Sequence, residues 1–153
     1  MSTRSLQYKE LFDCTPEVLF DALRTPSSIR IWWGAARVIM QAERGGAFAV
    51  AWGEDEDDPE YIGTSVLSEF DPPRRMVMTD FLYYSKYGPL GFEADFSVEF
   101  DVQPHDQGSQ LTLIHRGIPT IPEADEYYEG CETGWRTCIA NLRTFLECDG
   151  RPA

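Results

Sequence analysis

Two polar residues stand where a chain otherwise rich in apolar strands could do chemistry: Asp80 and His115. His115 follows Leu111 and Leu113 at alternate positions, so on a strand it shares their face. A histidine on an apolar face can be tuned by burial into a proton donor or acceptor. Asp80 follows Met76 and Met78 at the same spacing, so uninterrupted alternation would turn its carboxylate inward with them. Paired with His115 or Arg116, it could form an acid/base or orienting dyad. The plainer readings are a hydrogen-bonded histidine near a strand end and a solvated strand-end aspartate. Each outweighs its catalytic counterpart.

Other chemistries are weakly represented. Only two histidines, His105 and His115, are present, and no nucleophile-elbow pattern accompanies them, which disfavours acyl-enzyme chemistry. Neither a Gly-x-Gly-x-x-Gly nor a Walker pattern occurs, so no nucleotide or other cofactor is expected. The cysteines are Cys14, Cys131, Cys138 and Cys148. On a helix, Cys131 and Cys138 would be about 10 Å apart along the axis, beyond disulfide reach. Without Cys-x-x-Cys or neighbouring histidines, no zinc site is expected, and the thiols read as reduced. The acidic run Glu54 to Asp58 lacks the spaced ligands and central glycine of a calcium loop, so it reads as a solvated hairpin loop.

Composition narrows the field further. The chain has 153 residues and a formal charge of −13, with 42% hydrophobic and 13% aromatic residues. That length fits one domain, spanning 1–153 with a core over about 6–148. The acidic excess would repel phosphate backbones and anionic lipid surfaces, so neither nucleic acid nor membrane is an expected partner. No signal-peptide core or membrane-length apolar run is visible, and a cytoplasmic location is expected.

The elements that must position these residues follow in a definite order. Leu6 to Phe12 reads as a strand. Thr15-Pro16-Glu17 then opens a helix, with a capping hydroxyl, a first-turn proline and an acid at the positive end of the dipole. Ser27 to Trp33 forms a second short helix ending at Gly34. Strands are expected over Val38 to Ala42, Ala47 to Trp52, Tyr61 to Phe70, Arg75 to Tyr84, Phe92 to Val102 and Gln110 to Arg116. The alternation of Phe92, Ala94, Phe96, Val98, Phe100 and Val102 with polar residues is the clearest of these patterns. A final amphipathic helix, about Glu123 to Glu147, carries Trp135, Ile139, Leu142 and Leu146 as its apolar stripe.

Several segments, taken in order, resemble the START-like (SRPBCC) superfamily of the birch pollen allergen. Within it they are most similar to the family of the activator of the heat-shock protein 90 ATPase (its C-terminal domain). They are Thr15 to Leu23, Trp32-Trp33-Gly34, Gly45-Gly46-Ala47-Phe48, the turn Glu69 to Met76 with Pro72-Pro73-Arg74, and Gly134-Trp135 with Asn141-Leu142. The resemblance implies an α+β helix-grip fold. In it a curved antiparallel sheet of about seven strands wraps a long C-terminal helix, two short helices follow the first strand, and a cavity lies between sheet and last helix. Asp80 departs from the family, which often has an aromatic near that position.

Trp33, Phe48, Trp52, Met78, Phe81, Phe96, Phe100, His115, Trp135 and Ile139 could then line an apolar pocket, although singly each reads more simply as core. The first functional reading is binding of a small apolar or aromatic molecule, with no catalytic residue. A second is an interaction module resembling the chaperone-ATPase activator. A third is a cyclase, dehydratase or hydrolase using Asp80 and His115. The pairs Tyr83-Tyr84 and Tyr127-Tyr128 could gate the cavity mouth or line a homodimer interface.

Overall fold

The computed structural model describes residues 2–148, with side chains to 147. The side chain of Cys148, one of the four cysteines considered above, lies outside the described residues. Strand β1 (Thr3–Phe12) leads into helices α1 (Pro16–Arg24) and α2 (Pro26–Trp32). Six strands follow: β2 (Arg37–Met40), β3 (Ala47–Trp52), β4 (Tyr61–Asp71), β5 (Arg75–Ser85), β6 (Ser97–His105) and β7 (Gly108–Pro119). A 3-10 turn (Pro122–Ala124) then opens helix α3 (Asp125–Cys148). All strands pair antiparallel in one sheet ordered β1-β7-β6-β5-β4-β3-β2. This is the α+β helix-grip architecture, with the long last helix held against the sheet.

Local chemistry sets the helix starts and stops as expected. The Thr15 hydroxyl accepts the Val18 N–H at 3.2 Å, and Pro16 occupies the first turn of α1. Leu19, Phe20, Ala22 and Leu23 are then buried on the sheet side. Helix α2 ends at Trp33, and Gly34 with φ +65° takes the left-handed position beyond it. The Trp32 indole donates to Ala22 O at 2.9 Å, which locks α2 onto α1. Asn141 of α3 donates to Trp32 O at 3.3 Å, tying the last helix to the same corner. The stripe on α3 is buried as its spacing requires, through Trp135, Cys138, Ile139, Leu142 and Leu146.

Two departures of the sheet from simple alternation shape the site. Thr64 pairs with Leu82 and Val66 with Thr79, so Ser65 of β4 faces both Asp80 and Phe81 of β5. This is a bulge, and Asp80 adopts φ +57° within it. The extra residue reverses inside and outside along the rest of β5. Met76 and Met78 are fully buried, yet Asp80 is exposed. The inward carboxylate expected from the sequence is therefore corrected.

The second departure is β6, which begins at Ser97 and not at Phe92. Strand β5 pairs with β6 only from Arg75 to Met78, so past the bulge nothing on that side extends the ladder. On the other side lies Gly117 of β7 (φ +88°), where an added Cβ would stand 2.1 Å from Asp95 O. The chain at 95–96 crosses β7 at that close approach, a position only glycine allows. Residues 92–96 leave the sheet, Ala94 is exposed, and the alternation of Phe92, Ala94 and Phe96 is not a strand.

Candidate functional site

The sheet and α3 do not fill the space between them. A cavity of about 780 Å³ remains, open on one side. Its walls come from β3 (Phe48, Val50, Trp52), β4 (Tyr61, Gly63, Ser65), β5 beyond the bulge (Phe81, Tyr83, Ser85) and the β6–β7 pair (Val98, His115). The irregular connection after β5 adds Tyr87 to Leu90, Phe92 and Phe96. The N-terminal half of α3 closes the other side with Tyr127, Gly130, Cys131, Gly134 and Trp135, and Trp33 completes the floor.

Of the residues proposed from sequence as pocket lining, Trp33, Phe48, Trp52, Phe81, Phe96, His115 and Trp135 lie on this wall. Met78, Phe100 and Ile139 do not. They are buried core, with Phe100 and Ile139 packed around a separate small gap beside Leu111 and Leu142. Asp80 is off the wall altogether, so it forms no dyad with His115. Arg116, its other suggested partner, instead donates to Glu99 at 2.8 Å.

The aromatic wall is ordered by its own contacts. Trp33 is the hub, with ring centroids 5.2 Å from Trp135, 5.7 Å from Trp52 and 6.2 Å from Phe48. Its carbonyl accepts the Trp52 indole N–H at 3.2 Å. Toward the mouth, Tyr127 stacks on Phe96 at 4.9 Å and meets Phe92, Tyr83 and His115 edge-on. Offset and edge-to-face arrangements are the favoured contacts between aromatic rings and add to the cohesion of this wall.

His115 is the one histidine in this wall. Its Nδ1 accepts the Trp135 indole N–H at 3.0 Å. Burial pushes its pKa down to about 4, so the ring is neutral at physiological pH. An Nδ1 that accepts fixes the tautomer with the proton on Nε2. Burial likewise raises the thiols, Cys131 to about 11 and Cys138 to about 12, and raises the Tyr127 phenol well beyond its ordinary value. None of these groups is poised as a nucleophile near neutrality. Among the described residues there is no cluster of three or more His, Cys, Asp or Glu side chains able to hold a metal ion. The acidic run 54–58 is an exposed β3–β4 loop, and Lys86 reaches Asp58 at 2.5 Å.

Of the second half of β5, the sequence pattern offers Phe81 but not Ser85 as lining, because the bulge shifts the parity, and it offers Tyr83 and Tyr127 only as gates or as a homodimer interface. Tyr127, Cys131 and Gly134 lie at helical spacing ahead of Trp135, a stripe that could have been extended backward.

A long helix gripped by a curved antiparallel sheet over an aromatic cavity defines the START-like fold class. The family model described as Activator of Hsp90 ATPase homolog 1-like protein matches residues 13–147, and the chain belongs to that family. Solved structures share the fold across almost the whole length. A Mesorhizobium loti protein superposes with a TM-score of 0.77 at 18% identity, covering 95% of this chain and 98% of that one. A Rhodobacter sphaeroides protein gives 0.74 at 20% identity, covering 97% and 99%. A Chromobacterium violaceum protein gives 0.72 at 19% identity, covering 95% and 99%. No curated protein matches the chain significantly. No helix among the described residues is long and apolar enough to cross a membrane.

Proposed function

We propose that this protein binds a small apolar or aromatic molecule in the cavity between the sheet and α3. The observation that carries this reading is the combination of volume and lining. A space of about 780 Å³ falls within the roughly 300–1,000 Å³ range of ligand sites and is walled mainly by aromatic rings with few polar groups. A core built only for stability would close such a space, because unfilled volume forfeits packing energy. The side chains offered as ligand contacts are Trp33, Phe48, Trp52, Phe81, Phe96, His115 and Trp135.

Native mass spectrometry of the freshly purified protein tests this directly. A discrete small-molecule adduct that leaves on denaturation is the expected result, and the same spectrum separates monomer from homodimer. If no adduct appears, and no apolar aromatic probe changes the fluorescence of the cavity tryptophans, the reading fails.

A second reading, regulation of a chaperone ATPase, is favoured by the family match over residues 13–147. It requires stimulation of a heat-shock protein 90 ATPase by the purified chain, and an unchanged ATPase rate would remove it. Catalysis by Asp80 with His115 has no geometric support, since the two residues do not meet at the cavity.

A further inference from the structure

The polar equipment of the cavity narrows the ligand to one chemical class. His115 is only 5% exposed, and its single protein hydrogen bond uses Nδ1. Among the described residues, Nε2 has no protein partner, yet it is not one of the polar atoms sealed off from solvent. His115 itself lines the cavity. Because Trp135 fills Nδ1, the ring cannot turn its acceptor toward the cavity without breaking that bond, and it presents only an N–H. Ser65, on the β4 part of the wall, is 7% exposed and its hydroxyl makes no hydrogen bond.

Charge restricts the ligand further. None of the lining residues is Lys or Arg, while Glu123 and Glu126 stand exposed at the rim. A bound carboxylate, sulfonate or phosphate would lose its hydration and find no cation to replace it.

We propose that the cavity takes an uncharged aromatic molecule bearing a carbonyl or similar oxygen, and that this oxygen accepts the Nε2–H of His115. This rests on the ligand-binding reading above and goes beyond it by naming the polar group, its partner and the excluded charge. The Trp135 indole acts as a positioning group. It fixes the imidazole plane and tautomer, while the rings of Phe96 and Tyr127 pack beside the donor.

A matched series separates this inference from the broader one. The probes are 2-acetylnaphthalene (ring plus carbonyl), 2-ethylnaphthalene (ring alone) and 2-naphthoate (ring plus anion), titrated by quenching of tryptophan fluorescence. The ketone should bind roughly three- to tenfold more tightly than the ethyl compound, as one net hydrogen bond allows. The naphthoate should bind most weakly of the three. Replacing His115→Phe should collapse the ketone-to-ethyl ratio to about one, and His115→Gln, which keeps both an acceptor and a donor, should restore it. In the wild-type protein, the 15N resonance of His115 Nε2 should move with ketone and not with the ethyl compound. If the ketone and ethyl probes bind alike, or if the naphthoate binds as tightly as the ketone, this inference is overturned while the cavity reading stands. If none of the three binds, both fail. The wild-type ratio and resonance decide the matter even if His115→Phe does not fold.

Discussion

The Trp135 indole N–H points at Nδ1 of His115 across 3.0 Å, joining the last helix to strand β7 at the back of the cavity. The bond requires a neutral imidazole, because a protonated ring has no acceptor to offer. Burial acts in the same direction and lowers the His115 pKa to about 4. In the unfolded chain the same ring titrates near 6.5. Between these values the unfolded state binds more protons, so stability rises with pH across the window. It is at its full value above about pH 6.5 and falls as the pH drops toward 4, by up to ~3 kcal/mol from this group alone. Urea titrations at several pH values check this. The wild type should lose more stability over that window than His115→Gln, which has no titrating group at this site. Equal losses would show that His115 is not held neutral.

Asp80 is structural. Its φ of +57° places the bulge, and the bulge turns Phe81, Tyr83 and Ser85 toward the cavity while Leu82 and Tyr84 face solvent. Aspartate tolerates this left-handed conformation better than branched residues do. Asp80→Val should therefore cost ~1–2 kcal/mol, and Asp80→Gly or Asp80→Asn should cost well under 1 kcal/mol. Denaturant midpoints for the three variants give the comparison. A harmless valine would mean that the backbone at this position is not in the left-handed region.

These two residues show what alternation along a strand can and cannot reveal. The helix starts, the order of elements and the inward faces of β3 and β7 follow from capping chemistry and period, so the architecture was legible. Period-two reasoning carries forward only until a residue is inserted, and no apolar pattern marks Asp80 as the insertion. The same limit explains Phe92 to Phe96. There the alternation is real in sequence, but β5 stops pairing with β6 at Met78, and Gly117 admits the close crossing of the chain at 95–96. Seven of the ten lining residues proposed from sequence stand on the cavity wall, and of these Phe48, Trp52, His115 and Trp135 do so because β3, β7 and the last helix keep their period. The rest of the wall, Tyr83 and Ser85 beyond the bulge and Tyr127, Gly130 and Cys131 on the first turns of α3, is not marked by that period.

On the face of the sheet carrying Glu99, that buried carboxylate sits between Arg75 and Arg116, each with a nitrogen 2.8 Å from one of its oxygens. Burial alone would raise its pKa. The hydrogen bonds from Arg116 and Arg75 outweigh that and hold it below the ordinary carboxylate range. The cluster joins β5, β6 and β7 where β5 is about to leave β6, since their pairing ends at Met78 with Val98. Glu99→Ala should destabilise the fold by ~1–3 kcal/mol, because Arg116 loses its carboxylate partner and Arg75 is left with only Glu69 and Asp101. The wild-type contribution is present above the unfolded carboxylate pKa and is lost as the pH falls through the lower folded value. Thermal melts of wild type and Glu99→Gln should converge under acid conditions. A separation that persists undiminished in acid would show that the pair contributes through packing alone.

Two of the α3 thiols, Cys131 and Cys138, give a reading of cavity occupancy that needs no knowledge of the natural ligand. Cys131 lines the cavity, whereas Cys138, about two helical turns further along, packs beside Leu142 and Phe100 away from it. Burial raises both pKa values, to about 11 and about 12, so at pH 7.5 only a small fraction of either is thiolate. Alkylation by iodoacetamide should therefore run at least ~100-fold slower at each site than at an ordinary exposed cysteine, whose pKa is near 8.5. Peptide mapping by mass spectrometry resolves the two positions. A saturating aromatic probe should slow labelling of Cys131 several-fold further and leave Cys138 unchanged, because only Cys131 shares a wall with the occupant. Equal protection of both thiols would point to a general tightening of the fold. No protection of Cys131 at saturation would place the probe somewhere other than between the sheet and α3.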